Sequence, residues 1–366
     1  MSLFPIEAQF WKGKRVFVTG HTGFKGSWLW IWLSELGAVM RGYALQPDTE
    51  PSMFNSLGLD QLGEHCVGDV RDAPTLRANL REFRPEIVLH LAAQPLVRRS
   101  YREPLETFAT NVQGTANVLD ACRDLPGLRA VLVGTSDKCY ENREMLVPYR
   151  EEDRLGGRDP YSASKACAEI VAGAWRKSYF GDGAAAIATA RAGNVFGGGD
   201  YSEDRLIPDA VRAYSAGRRL IVRNISALRP WQHVVEPLSG YLMLARALFE
   251  RGHEYAEPFN FGPLPDHQMS VGDVVEGFTR VWGEGAQWVH EPEVQAVHEA
   301  GLLLLDSTRA RTELGWQSQS SLEQALRFTA DWYQALHHGR SATEMRRLTV
   351  GQIADIRGVA GKRTGG

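Results

Sequence analysis

The sequence predicts an α/β protein built on a doubly wound parallel sheet, with a smaller C-terminal lobe. Two observations lead there. Short apolar runs at 15–19, 86–91, 130–134 and 186–190 alternate with segments suited to helices, such as 101–124 and 161–180. Runs this short and apolar suit strands buried on both faces, and strands separated by helices pair in parallel. The second observation is a Gly-rich turn, Gly20-His21-Thr22-Gly23-Phe24-Lys25-Gly26, set between the first run and a helix carrying Trp28, Leu29, Ile31, Trp32 and Leu33.

The elements follow in order. Residues 1–193 read as the first domain. After Gly193 the rhythm breaks into Gly197-Gly198-Gly199 and Pro/Gly punctuation, so 194–235 and 263–320 form the smaller lobe, while 236–262 returns to the first domain. The last helix spans 321–338, and 339–366 is an Arg- and Gly-rich tail expected to be loosely held.

A chain of 366 residues with 43% hydrophobic content can bury a large core or two lobes sharing a cleft. Its net charge of −3 and lack of a basic stripe argue against a nucleic-acid partner. Cys66, Cys122, Cys139 and Cys167 are scattered without CxxC spacing, which predicts reduced thiols and a cytoplasmic setting. No run approaches the ~20 apolar residues of a membrane span, so no membrane partner is expected. No metal-ligand spacing stands out.

A glycine turn opening a helix lets backbone N–H groups approach a pyrophosphate. Gly20, His21, Thr22, Gly23, Phe24, Lys25 and Gly26 are therefore candidate dinucleotide contacts, His21 and Lys25 either as cations near the phosphates or facing solvent. The spacing is GxxGxxG. The position after the second strand, near Tyr43-Ala44-Leu45, lacks the acid that grips an NAD ribose; Asp48 and Glu50 come late, so NAD and NADP are not distinguished there. Asp69, followed by Val70, suits either an adenine contact or a cap for a helix over 73–83. Leu91, Ala92, Ala93 and Gln94 follow the 86–91 strand, where small residues let a cofactor lie against backbone or let the sheet pack closely.

Asp159-Pro160-Tyr161-Ser162-Ala163-Ser164-Lys165 places a phenol and an ammonium one helical turn apart. A neighbouring cation favours the phenolate, so Tyr161 can take a proton from a sugar hydroxyl while Lys165 reaches a cofactor ribose. Ser136, Asp137 and Lys138 follow the 130–134 strand. Alone they suit a capped polar turn, but the carboxyl ends of parallel strands face the ligand crevice.

The glycine turn, Leu91-Ala92-Ala93, Asn111 in Thr110-Asn111-Val112-Gln113-Gly114-Thr115, Ser136-Asp137 and Tyr161/Lys165 together resemble the extended short-chain dehydrogenase/reductase superfamily, over about residues 12–335. That resemblance implies a Rossmann-type fold, a substrate-binding C-terminal lobe and NAD as cofactor. More narrowly, residues 21–29, Thr135-Ser136-Asp137-Lys138-Cys139-Tyr140 and Arg229-Pro230-Trp231-Gln232-His233-Val234 are similar to the CDP-glucose 4,6-dehydratase family. Dehydratases of other nucleotide sugars carry Thr-Asp-Glu where this chain has Ser136-Asp137-Lys138. The resemblance implies CDP-glucose as substrate, oxidised at C4, dehydrated across C5 and C6 and reduced at C6, for deoxysugar biosynthesis of the lipopolysaccharide type.

It also implies roles. Tyr161 would deprotonate the C4 hydroxyl with Lys165 in support, Ser136 would hydrogen-bond the C4 oxygen, and Asp137 would protonate the departing C6 hydroxyl. Lys138 would either remove the C5 proton, which requires a lowered pKa, or stabilise the enolate as a cation. Asn111 would fix the catalytic helix or satisfy local backbone groups. Asn194 and Arg229 would hold the diphosphate, with Arg205 and Arg219 as further candidates, and Trp231 and Gln232 would shape the lobe or the base pocket, Trp231 also reading as core packing. The helices at 101–124 and 161–180 would pair with their copies as a four-helix bundle, giving a homodimer. A nucleotide-sugar epimerase or reductase would share the turn and Tyr161/Lys165 but needs no Asp-Lys pair; a cofactor-sensing binding protein commonly loses the Tyr or Lys.

Overall fold

The computed structural model describes Leu3 and residues 5–181, 185–263, 268–292 and 301–357. At its centre lies a parallel seven-stranded sheet. In chain order its strands are β1 (Arg15–Thr19), β2 (Val39–Ala44), β3 (Glu64–Val67), β4 (Ile87–His90), β5 (Ala130–Gly134), β6 (Ala186–Arg191) and β7 (Pro258–Asn260). Their spatial order is β7-β6-β5-β4-β1-β2-β3, so the winding reverses between β1 and β4, where an open α/β sheet forms its ligand crevice. Val16, Phe17, Val18, Val88, Leu89, Val131 and Leu132 are fully buried, as strands covered on both faces must be.

Helix α1 (Phe24–Glu35) follows the glycine turn, and every residue from Gly26 to Leu33 is buried. A helix apolar all round needs cover on every side. One cover comes from the C-terminus. The stretch expected to be a loose tail is helix α9 (Ala342–Arg357), which buries Met345, Thr349, Ile353 and Ile356 and packs on α1. The polar-looking composition hides one docking face. The last part of that expected tail, 358–366, lies outside the described residues, as do 264–267 and 293–300 of the expected smaller lobe.

Helix α2 (Ala73–Phe83) is capped by Asp72, whose carboxylate accepts from the Thr75 N–H, and not by Asp69. Helix α3 (Gly114–Cys122) is preceded by a π-turn at Ala109–Gln113, and α4 (Pro160–Ser178) starts with Asp159 accepting from Ser162 N–H. Beyond β6 come α5 (Leu206–Ser215), α6 (Val235–Arg251), which with β7 completes the sheet, α7 (Val271–Trp282) and α8 (Leu322–His337). Three two-stranded pieces, among them Leu228–Pro230 against Gln268–Ser270, frame the smaller lobe. All four cysteines are free.

Among the described residues three imidazoles are buried: His21, His90 and His233. Burial drives each from 6.5 to about 3, helped by His65 for His21 and by Lys165 for His90. The unfolded chain takes up these protons below pH 6.5 while the folded chain resists them. Stability from this source is therefore fully present above 6.5 and is lost as pH falls towards 3. At pH 5 the loss is about 2 kcal/mol for each imidazole. Urea unfolding at pH 7 and pH 5 is expected to show a clearly lower midpoint at pH 5; coincident curves would mean that these rings are not held neutral.

Candidate active site

The carboxyl ends of the strands open into one cleft of about 1260 Å³. Its floor is the glycine turn. A Cβ on Gly20 would lie 2.6 Å from the Ala92 backbone nitrogen, and one on Gly26 would lie 2.1 Å from the Gly20 carbonyl oxygen. Gly20 also holds φ at 74°, a left-handed value that favours glycine. Gly23 differs, since a Cβ there meets only the Gly20 oxygen at 3.5 Å, and Gly23 lines the cleft. As the residue preceding α1 it makes no side-chain cap, so the helix's first N–H groups have no side-chain partner at that position. These features fit a pyrophosphate at the helix N-terminus.

Thr22, Phe24 and Lys25 line the same floor. His21 does not. Its ring is buried 4.9 Å from the Trp30 ring, and its Nε2 lies 2.7 Å from His65 Nδ1, so it is a neutral packing group and not a cation at the phosphates. Lys25 points inward: burial, then Arg205 and Lys165, lower its pKa to about 7, with Asp137 opposing. Its ammonium sits 5.8 Å from the centre of the Tyr241 ring.

The walls hold most of the other expected contacts. Asp69, Val70, Leu91, Ala92, Ala93 and Gln94 all line the cleft. Asp69 carries a partner already, accepting from Arg71 Nη2 at 2.6 Å, which holds its carboxyl below the usual range. Asn111 stands behind the wall and away from the cleft lining: its Oδ1 accepts from Gln94 N–H at 2.8 Å while its Nδ2 donates to Ser164 Oγ at 2.8 Å. It therefore ties the wall to α4 from outside the cleft lining. His90 adds a second tie, with Nδ1 2.7 Å from Thr19 Oγ1 and Nε2 3.1 Å from Thr115 Oγ1.

Ser136, Asp137, Lys138, Tyr161 and Lys165 converge on the cleft. Ser136 caps a short 3-10 turn at Asp137–Cys139 and donates to Asp137 Oδ1 at 3.0 Å. Asp137 is 2% exposed, and its Oδ2 has no hydrogen-bond partner among the described residues. Gly193 makes room for that oxygen, since a Cβ there would come within 2.2 Å. Burial pushes the Tyr161 phenol up to about 12, against a hydrogen bond with Ser136 and the charge of Arg205. Burial lowers Lys165 to about 8, with Glu169 opposing. Arg205, expected at the phosphates, thus also bears on the Tyr161 phenolate.

In the smaller lobe, Asn194, Arg205 and Arg229 line the cleft, whereas Arg219 is exposed and outside its lining. Asn194 Oδ1 is buried without a partner among the described residues. Arg205 pairs with Asp200 at 3.0 Å. Trp231 is 7% exposed, touches the cleft and donates from Nε1 to the Met269 carbonyl; Gln232 is buried and donates to the Phe261 carbonyl. Sequence reasoning missed Tyr241, on α6, and Arg99, which pairs with Asp48 at 2.8 Å at the cleft's other end. Neither sits in a motif, and only the fold brings them there.

Fold and cleft define a Rossmann-type protein with a Tyr161/Lys165 pair and a glycine turn lining one cleft at the sheet's switch point. Comparison narrows this: the model of the GDP-mannose 4,6-dehydratase family matches residues 17–329, and the chain belongs to that family. It is 47% identical to CDP-glucose 4,6-dehydratase from Salmonella typhimurium over 91% of this chain and 94% of the relative. It is 26% identical to dTDP-glucose 4,6-dehydratase from Xanthomonas campestris over 86% of this chain and 92% of that one. Among solved structures, UDP-glucose 4-epimerase from Thermotoga maritima superposes with a TM-score of 0.75 at 22% identity, covering 88% and 99% of the two chains. UDP-glucose 4-epimerase from Stenotrophomonas maltophila gives 0.78 at 21%, covering 89% and 100%. These two share the fold.

The glycines separate folding from binding. Gly26→Ala is expected to cost about 1–3 kcal/mol of stability, because its Cβ meets fixed backbone. Gly23→Val, at φ −77° and ψ 173°, is expected to melt near the parent while weakening NAD⁺ at least about tenfold in calorimetric titration. Parental affinity in a folded Gly23→Val protein would place the cofactor elsewhere.

Proposed function

We propose that this protein is a hydro-lyase that converts CDP-glucose to CDP-4-keto-6-deoxyglucose with NAD as a recycled cofactor. The observation that carries the reading is the meeting of Ser136, Asp137, Lys138, Tyr161 and Lys165 at one end of a cleft floored by the glycine turn. The 47% identical relative carries that substrate in its name. Bound NAD would supply oxidation at C4 of the hexose and reduction at C6.

The chain's own residues supply the rest. The glycine turn and α1 hold the pyrophosphate, and Lys165 holds the nicotinamide ribose. Tyr161 takes the C4 hydroxyl proton, its phenolate favoured by Ser136 and by Arg205. Ser136 hydrogen-bonds the C4 oxygen. With a ketone at C4 the C5 proton is acidic, and Lys138, half-buried beside Ser136, either removes it or stabilises the enolate as a cation. Asp137, buried with an unpartnered oxygen, gives its proton to the departing C6 hydroxyl. Asn194 and Arg229 hold the diphosphate. An epimerase would need no acid and base beside Ser136, and a sensing protein would need neither Tyr161 nor Lys165.

The helices that line one flank expose apolar side chains: Leu105 is 84% exposed and Ile170 59%, with Phe108 also exposed. We assign this face to a homodimer through a four-helix bundle. Four free thiols and the absence, among the described residues, of a helix able to cross a membrane support a cytoplasmic enzyme of deoxysugar biosynthesis of the lipopolysaccharide type.

Deuterium at C4 of CDP-glucose is expected to reappear at C6 of the product, with solvent hydrogen entering at C5. Retention at C4 would indicate an epimerase, and turnover that consumes outside reductant would indicate a reductase. Tyr161→Phe and Lys138→Met are each expected to lower product formation at least about a hundredfold in folded protein. Parental turnover by Lys138→Met would remove that side chain from the elimination step.

A further inference from the structure

The Tyr161/Lys165 pair stands on a third polar residue of the same helix face. Glu169 follows Lys165 by one turn and is 5% exposed. Its carboxylate accepts from Thr135 Oγ1 on one oxygen; on the other it accepts from Thr189 Oγ1 at 2.7 Å and from Arg191 Nη2 at 2.8 Å. Arg191 is held in turn by the Tyr140 hydroxyl at 2.8 Å and the Glu151 carbonyl at 3.1 Å. Thr135 immediately precedes Ser136, and Arg191 closes β6 just before Gly193 and Asn194. One carboxylate thus joins the catalytic helix to both strand ends that carry the cleft's reactive groups.

The charges point the same way. Lys165 and Arg191 are two buried cations, and Glu169 is the carboxylate acting on both. The other groups acting on Lys165 or acted on by it are the Cys139 thiol from the 3-10 turn, Lys25 from α1 and His90 from β4; Arg176 lies further along α4 towards Glu169. Lys25 adds a like charge, and the buried imidazole and thiol are neutral at pH 7. Glu169 is therefore the group that favours an ammonium at Lys165. Burial opposes its own charge, but Arg191 and the two threonine hydroxyls outweigh it and lower its pKa.

We propose that Glu169 is a positioning residue for the Tyr161/Lys165 pair, keeping Lys165 an ammonium and fixing the catalytic helix against the ends of β5 and β6. The inference rests on the role given to Lys165 above. Its test reads Lys165 directly. In the cofactor-free protein, the acetylation rate of Lys165 by acetic anhydride is followed against pH by peptide mass spectrometry. Half-titration near pH 8 is expected for the parent. Glu169→Gln is expected to shift it down by about one unit or more, and Glu169→Asp, which keeps the charge but withdraws it, by less in the same direction.

The alkaline limb of kcat for nucleotide-sugar turnover is expected to move down in parallel, with KM changed less than about threefold. Should Glu169→Gln fail to fold, the aspartate variant carries the same measurement. A Glu169 that only braces the fold would lower the melting temperature and leave the Lys165 titration in place, and that result overturns the proposal whatever the turnover. Parental turnover by Lys165→Met would instead overturn the catalytic role of Lys165, leaving the titration result to stand by itself.

Discussion

The cleft exists because two segments of backbone touch where side chains would keep them apart. Gly20 brings the end of β1 against the backbone at Ala92, and Gly26 lets α1 start directly over the Gly20 carbonyl. With those contacts made, the helix N-terminus, the small-residue wall after β4 and the catalytic turn after β5 share one rim. Add a methyl at either glycine and the wall moves by the reach of a carbon atom.

Charge in the cleft is arranged for a ligand that is not part of the chain. Lys25, Lys165, Arg205 and Arg229 line the same cleft as the buried Asp137, and burial weakens the two lysines. A strongly anionic guest would restore the charge that burial opposes, since phosphate oxygens favour the ammonium forms. Asn194 Oδ1, buried without a partner among the described residues, marks where a hydrogen-bond donor of the guest belongs, while the likewise unpartnered Asp137 Oδ2 leaves room for the proton that the acid delivers.

The parts of this architecture that were legible in the sequence are those whose reason is local. The strand runs, the glycine turn and the Tyr161/Lys165 spacing each carry their logic within a few residues, and the sheet followed from their alternation. His21 misled because its setting is made at a distance, by Gly42, Trp30 and His65 closing round the ring. Asp69 and Asp72 compete for one cap within four residues, and only Arg71 gripping Asp69 decides between them. Glu169 stood in plain view one turn beyond Lys165, but its meaning depends on Thr135, Thr189 and Arg191 arriving from two other strands.

Helix α9 covers α1, the tryptophan-rich helix that begins at the cofactor turn, although more than 300 residues separate them in the chain. During synthesis from the N-terminus, the first βα unit is therefore complete in sequence long before it is complete in cover. Until α9 leaves the ribosome, α1 has an unfinished coat, an apolar surface of the kind that chaperones and neighbouring nascent chains recognise. A frameshift, a premature stop or a bulky C-terminal fusion would thus be felt at the opposite end of the polypeptide, in the half that receives the nucleotide.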